Sequence, residues 1–86
     1  MNVRVGSILH EYTGGASSVE AEGRTLRALF ADLDRRYPGL RFRVVDEQDR
    51  IRPHIQVFVG QTKATGLDTA VQAGTEVHIL GALSGG

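Results

Sequence analysis

Residues 74–86 read Gly74-Thr75-Glu76-Val77-His78-Ile79-Leu80-Gly81-Ala82-Leu83-Ser84-Gly85-Gly86. Gly74-Thr75 is a turn signal, and Val77 and Ile79 then alternate with Glu76, His78 and Leu80. That period of two predicts a strand over residues 76–80 with one face toward a core. Just upstream, Arg52-Pro53-His54-Ile55-Gln56-Val57-Phe58-Val59 repeats the pattern. Ile55, Val57 and Val59 share one side, and the β-branched content predicts an interior, central strand. Two such strands need further strands beside them and a layer over their apolar face.

The N-terminal half supplies both. Val3 and Val5 alternate with Asn2 and Arg4, a strand expected to continue loosely to Ile8 and Leu9. Gly14-Gly15 marks a turn, and Val19 and Ala21 alternate with Ser18, Glu20 and Glu22, so an antiparallel hairpin is expected. Leu26, Leu29, Phe30, Leu33 and Tyr37 then recur at helical spacing, with Thr25 or Gly23 as N-cap and Pro38-Gly39 as the stop. Residues 40–53 give no clear period and are read as an irregular excursion. Residues 60–74 form a connection with Leu67, Ala70 and Val71 as buried points. The order predicts an α+β, ubiquitin-like β-grasp fold: a mixed sheet of four to five strands packed on one main helix. A right-handed crossover would set a later strand parallel to the first. A ferredoxin-like fold would need a second long helix, and residues 68–73 are too short for one.

The chain has 86 residues, enough for one domain that buries roughly 60–65% of its surface. Lys plus Arg and Asp plus Glu each total 10, so the basic excess of a nucleic-acid binder is missing. There is no cysteine, which excludes a disulfide, a thiolate metal site and a cysteine nucleophile. No apolar run approaches the ~20 residues of a membrane span. The N-terminus alternates from its start rather than carrying an apolar leader, so a cytoplasmic domain is expected.

A self-contained active site is not evident. His10, His54 and His78 lack metal spacing. Asp46-Glu47-Gln48-Asp49 lacks the glycine and distal glutamate of a calcium loop. Arg41, Arg43, Arg50 and Arg52 lie among Asp46, Glu47 and Asp49, so a salt-bridged loop is expected rather than a phosphate site. Gly14-Gly15 lacks the lysine and spacing of a phosphate-binding loop.

Chemistry points instead to residues 81–86. Gly85-Gly86 has no Cβ and can thread a channel too narrow for other residues. A terminal carboxylate is ionised at neutral pH and is a poor electrophile. As an acyl-adenylate it would gain a good leaving group, which an incoming sulfur or amine could displace. The nucleotide site would then belong to a partner.

Three segments carry a resemblance across essentially the whole chain: Thr25-Leu26 entering the helix, residues 52–59, and residues 74–86 with terminal Gly85-Gly86. The chain resembles the ThiS/MoaD family of ubiquitin-like sulfur carriers and, with its insert at residues 40–53, most resembles the MoaD- and CysO-like members. It departs at Gly60-Gln61, where relatives often carry Asn-Gly or Asn-Asp. The resemblance implies that a ubiquitin-activating-type adenylating enzyme uses Mg-ATP to adenylate Gly86, and that the carrier itself binds no cofactor. Sulfur from a persulfide or sulfide source would give a thiocarboxylate, which a second, sulfur-accepting biosynthetic enzyme consumes to make a cofactor, cysteine, a thiosugar or a similar product. A protein modifier joined through Gly86 to lysines would pass through the same adenylate, so both remain open. A β-grasp adaptor with an idle tail is a third, blander possibility.

The expected layout is a domain over residues 1–80 and a flexible tail over 81–86, in a chain that is monomeric when free. Gly86 is the activated residue, and Gly81, Ala82, Leu83, Ser84 and Gly85 thread the partner's site. Val3, Val5, Val19, Leu26, Leu29, Phe30, Leu33, Ile55, Val57, Val59, Val77 and Ile79 are expected to form the core. Strand alternation then turns Phe58, His78 and Leu80 outward together as a partner-docking surface.

Overall fold

The computed structural model describes residues 1–81. Along the chain run β1 (Asn2–Val5), a 3-10 turn (Ser7–Leu9), α1 (His10–Thr13), β2 (Ser18–Glu20), α2 (Leu26–Arg36), α3 (Leu40–Val44), β3 (Ile55–Val59), β4 (Thr62–Lys63) and β5 (Val77–Gly81). The strands form one mixed sheet ordered β2-β1-β5-β3-β4. β1 pairs antiparallel with β2, Val3 opposite Val19, and parallel with β5, Val3 opposite Val77. β3 runs antiparallel to β5, with Val57 opposite Ile79. This is the expected β-grasp. The middle strand is β5, however. β3 lies second from the edge, because its apolar period shows that it is interior but not which neighbours it has.

α2 supplies the second layer. Thr25 is its N-cap, the Thr25 hydroxyl accepting from the Ala28 N–H at 3.2 Å. Leu26, Leu29, Phe30 and Leu33 are fully buried against the sheet. Arg35 and Arg36 fall in the last turn, where they complement the helix dipole. Gly23 does not cap the helix; it lets the chain pass against it. A Cβ at Gly23 would lie 2.4 Å from the Leu29 backbone nitrogen and 2.7 Å from its Cα. The carboxylate of Asp32 ties the same segment down, accepting the Glu22 N–H at 2.8 Å and pairing with Arg36 at 3.0 Å.

Of the twelve expected core residues, eleven are buried, and Val59, half-buried, packs against them. Leu67 and Val71 are buried, but Ala70 is exposed and contributes a backbone bridge to Thr25. The expected continuation of β1 to Ile8 and Leu9 is absent. The Leu9 N–H donates to the Gly6 carbonyl at 3.0 Å, and the backbone coils into a 3-10 turn and α1. Leu9 is still fully buried, so an apolar pair read as strand is satisfied by a helical turn. Residues 40–53 are more regular than expected. Leu40 and Val44, four apart, are both buried by α3, and Val45 then bridges Ile51. The edge strand β4 lies within the stretch read as a plain connection.

Candidate functional site

The face of the sheet turned away from α2 is set by register. Phe58 stands directly opposite His78 across β3 and β5, Arg4 opposite His78 across β1 and β5, and Lys63 opposite Phe58 across β4. A row Arg4, His78, Phe58, Lys63 therefore crosses four strands. In the next row Leu80 pairs with Gln56. On its other side is Gly6, whose added Cβ would fall 3.3 Å from the Leu80 Cα, so no side chain covers Leu80 from β1. Phe58, His78 and Leu80 are each half-buried, while Arg4 and Lys63 are exposed. The structure thus brings the three expected surface residues onto one face, as one cross-strand pair with a diagonal neighbour.

Gly81 continues β5 and pairs with Ile55, one residue past the expected end of the strand. It belongs to the sheet rather than lying beyond it. A Cβ at Gly81 would lie 3.1 Å from the Ile8 side chain. Gly81 is therefore bracketed by Ile55 on one side and Ile8 on the other. Ala82, Leu83, Ser84, Gly85 and Gly86 lie outside the described residues.

The acidic and basic residues of the excursion are partly paired. Arg41 meets Asp49 at 2.6 Å, Arg27 meets Asp49 at 3.0 Å, and Arg50 approaches Asp46 at 3.7 Å. The Arg41 and Arg27 guanidiniums hold the Asp49 carboxyl below the usual carboxylate range. Asp46 is lowered as well, chiefly because the Arg50 N–H donates to it, and it also accepts from Gln48. Among the described residues Arg43 and Arg52 form no ion pair, so the salt-bridged loop is real for half of its arginines. No group of three or more His, Cys, Asp or Glu among the described residues could hold a metal ion.

Residues 3–86 match the ThiS family. The chain belongs to the ThiS family. It is 38% identical to the sulfur carrier protein CysO of Mycobacterium tuberculosis and to that of Mycobacterium bovis, with all of each chain covered. Among solved structures, this ThiS-family chain is similar to the Amycolatopsis orientalis BexX/CysO complex, with a TM-score of 0.89 and 34% identity over 99% of this chain and 98% of that one. It is also similar to small archaeal modifier protein 1 of Haloferax volcanii, with a TM-score of 0.77 and 27% identity over 100% of this chain and 98% of that one.

Sequence reasoning missed Arg4 and Lys63 as members of the outer row. Arg4 was available, since it alternates with the core residues Val3 and Val5. Lys63 was not, because a two-residue edge strand has no readable period.

Proposed function

We propose that this chain is a sulfur carrier whose Gly86 carboxylate is adenylated by a partner enzyme and converted to a thiocarboxylate. The observation that carries this proposal is the 38% identity to the CysO sulfur carriers over the whole of both chains. Residues 1–81, with Gly81 held in β5, serve as the domain the partner grips, and residues 82–86 as the tail it threads. In the activating step an oxygen of the Gly86 carboxylate attacks the α-phosphorus of ATP held with magnesium by the partner, and pyrophosphate leaves. Hydrosulfide then displaces AMP from the acyl carbon, leaving C(O)S⁻ in place of the carboxylate. The sulfur forms a bond to the substrate of a biosynthetic enzyme, and water cleaves the acyl–sulfur bond, returning the Gly86 carboxylate. Phe58, His78 and Leu80 form the surface the adenylating enzyme holds, so binding energy remote from the reacting atoms positions Gly86. The cycle belongs in the cytoplasm; no helix among the described residues is long and apolar enough to cross a membrane.

The test is the intact mass of the chain isolated from its own cell, where a thiocarboxylate adds ~16 Da to the free carboxylate form. Removal of Gly86 should leave the fold unchanged and abolish ATP-dependent activation; wild-type activation of the shortened chain would sink the proposal. A second function, a protein modifier amide-linked through Gly86 to lysines, is favoured by the 27% identity to the Haloferax modifier. Conjugates of this chain on other proteins, with no thiocarboxylate form, would select it.

A further inference from the structure

Beside the end of β5 lies a cleft of 280 Å³ lined by Tyr12, Gly39, Phe42, Arg43, Arg52 and His54. Its position follows from the register. Gly81 pairs with Ile55, next in sequence to His54, and Gly81 also abuts Ile8, one helical turn before Tyr12. The cleft therefore flanks Gly81, the last described residue of β5. Its chemistry is basic and aromatic. Arg52 is locked in place, its Nε donating to the Phe42 carbonyl at 2.8 Å and its guanidinium carbon 4.7 Å from the Phe42 ring centroid. Phe42 is 57% exposed, the one large apolar side chain so exposed among the described residues. Arg43 is half-buried, and its Nε is shut from solvent with no hydrogen-bond partner among the described residues. Asp49 is engaged by Arg27 and Arg41, and Asp46 by Arg50 and its own loop, with Arg52 close enough to help hold the Asp46 carboxyl low without an ion-pair contact. Arg43 and Arg52 form no ion pair among the described residues, so a carboxylate entering the cleft would find charge-assisted donors not already held by another carboxylate.

We propose that this cleft docks an acidic side chain of the enzyme that activates the tail, which makes it a second grip point beside the outer sheet face. The inference rests on the function proposed above. The cleft is shallow and lined by two guanidiniums and two aromatic rings, a surface that suits a single carboxylate side chain. It need not meet the partner's nucleotide. Residues 82–86 can span up to about 16 Å at ~3.3 Å per residue, long enough for the Gly86 carboxylate to react in the partner's site while the cleft is held elsewhere on the partner. A carboxylate on the enzyme's own surface, at the mouth of the channel that takes the tail, is the anion that reaches the cleft. The planar, stacked Arg52 is already oriented for it, so little side-chain freedom is lost on binding.

The test is ATP–pyrophosphate exchange by the adenylating enzyme of the same cell, with the carrier concentration varied. R43Q/R52Q should raise KM about tenfold or more at ~0.05 M salt with kcat unchanged, and the gap to wild type should close near ~0.5 M salt as screening removes the attraction. R50Q, which removes an arginine already paired with Asp46, should leave KM unchanged. F42A keeps both charges and the backbone carbonyl that Arg52 bonds but removes the ring it stacks on, and should raise KM by about threefold. Thermal melting confirms the fold of each variant. Wild-type KM and salt dependence in R43Q/R52Q, while removal of Gly86 still abolishes exchange, would overturn the docking site and leave the carrier function standing. No exchange with the wild-type chain would overturn both. Movement of the Arg43 and Arg52 Nε–H NMR signals of the free protein when Gly86 is removed would assign the cleft to the chain's own carboxylate and likewise overturn docking in trans.

Discussion

Replacing Gly23 with alanine should be among the most damaging single-methyl changes this domain can suffer. The added Cβ would lie 2.4 Å from the Leu29 nitrogen, 2.7 Å from the Leu29 Cα and 2.9 Å from the Ala28 carbonyl carbon. All three are helix backbone, so no rotamer change relieves the clash, and ordinary contact begins at 3.4 Å. The gap between the segment and α2 must therefore open by 1.0 Å, the difference between 3.4 and 2.4 Å. The segment cannot retreat freely. Glu22 is held by Asp32 at 2.8 Å, and the Arg24 carbonyl accepts the Val71 N–H at 2.8 Å. The strain then falls on α2, whose Leu26, Leu29, Phe30 and Leu33 are fully buried. A radial gap of ~1 Å forfeits up to about half of each dispersion contact it opens. A cost of about 3 kcal/mol, the upper end for overpacking, follows. At ~4–8 °C per kcal/mol for a domain of this size, Tm should fall by roughly 12–24 °C. Circular dichroism melting measures it, with Gly66→Ala as the control. Gly66 has no atom within 4 Å of an added Cβ and no positive φ, so its replacement should be neutral or slightly stabilising. Equal melting of the two variants would refute the close approach of Gly23 to α2.

Leu29→Ala empties a fully buried site and should cost about 2–5 kcal/mol in urea denaturation; an unchanged midpoint would place the helix face wrongly. The Asp32 carboxyl is held below its ordinary value, first by the Glu22 N–H and then by Arg35 and Arg36. Its contribution is therefore full above the unfolded pKa of ~3.9 and lost as pH falls through the lower folded value. Asp32→Asn should be less stable than wild type at pH 7 and show a shallower loss of Tm on acidification; parallel pH profiles would contradict this. Phe58→Ala or Leu80→Ala should raise KM for activation with the fold intact, and unchanged kinetics in both would move the docking surface off this face.

The strands whose alternation meets a buried face on one side were legible: Val3 and Val5, Ile55 and Val57, Val77 and Ile79 all point where their period puts them. So was α2, because Leu26, Leu29, Phe30 and Leu33 make a continuous stripe. Ile8 and Leu9 misled, since two adjacent apolar residues fit a helical turn as well as a strand. The arginines of residues 40–53 were legible as a cluster but not as pairs. Asp49 is claimed by Arg27, twenty-two positions away on α2, so local counting could not show that Arg43 and Arg52 are left over. The outer face was partly legible: Phe58, His78 and Leu80 follow from alternation alone, whereas their juxtaposition depends on β3 and β5 being neighbours. The cleft was not legible, since Tyr12, Phe42 and His54 meet only through tertiary packing.

The middle strand of the sheet is also the last of its five described strands in the chain. β1 never pairs with β3; each pairs with β5, which joins the β1–β2 ribbon to the β3–β4 ribbon. A nascent chain that has made everything up to Glu76 holds two separate ribbons and a helix with only part of its floor. The core closes when Val77 and Ile79 arrive, a handful of codons before Gly85 and Gly86. A chain interrupted before Val77 thus lacks the closed core, and it offers proteases an open sheet. Completion of the sheet thus records how far translation has run: Phe58 gains its cross-strand neighbour His78 only once β5 has been made.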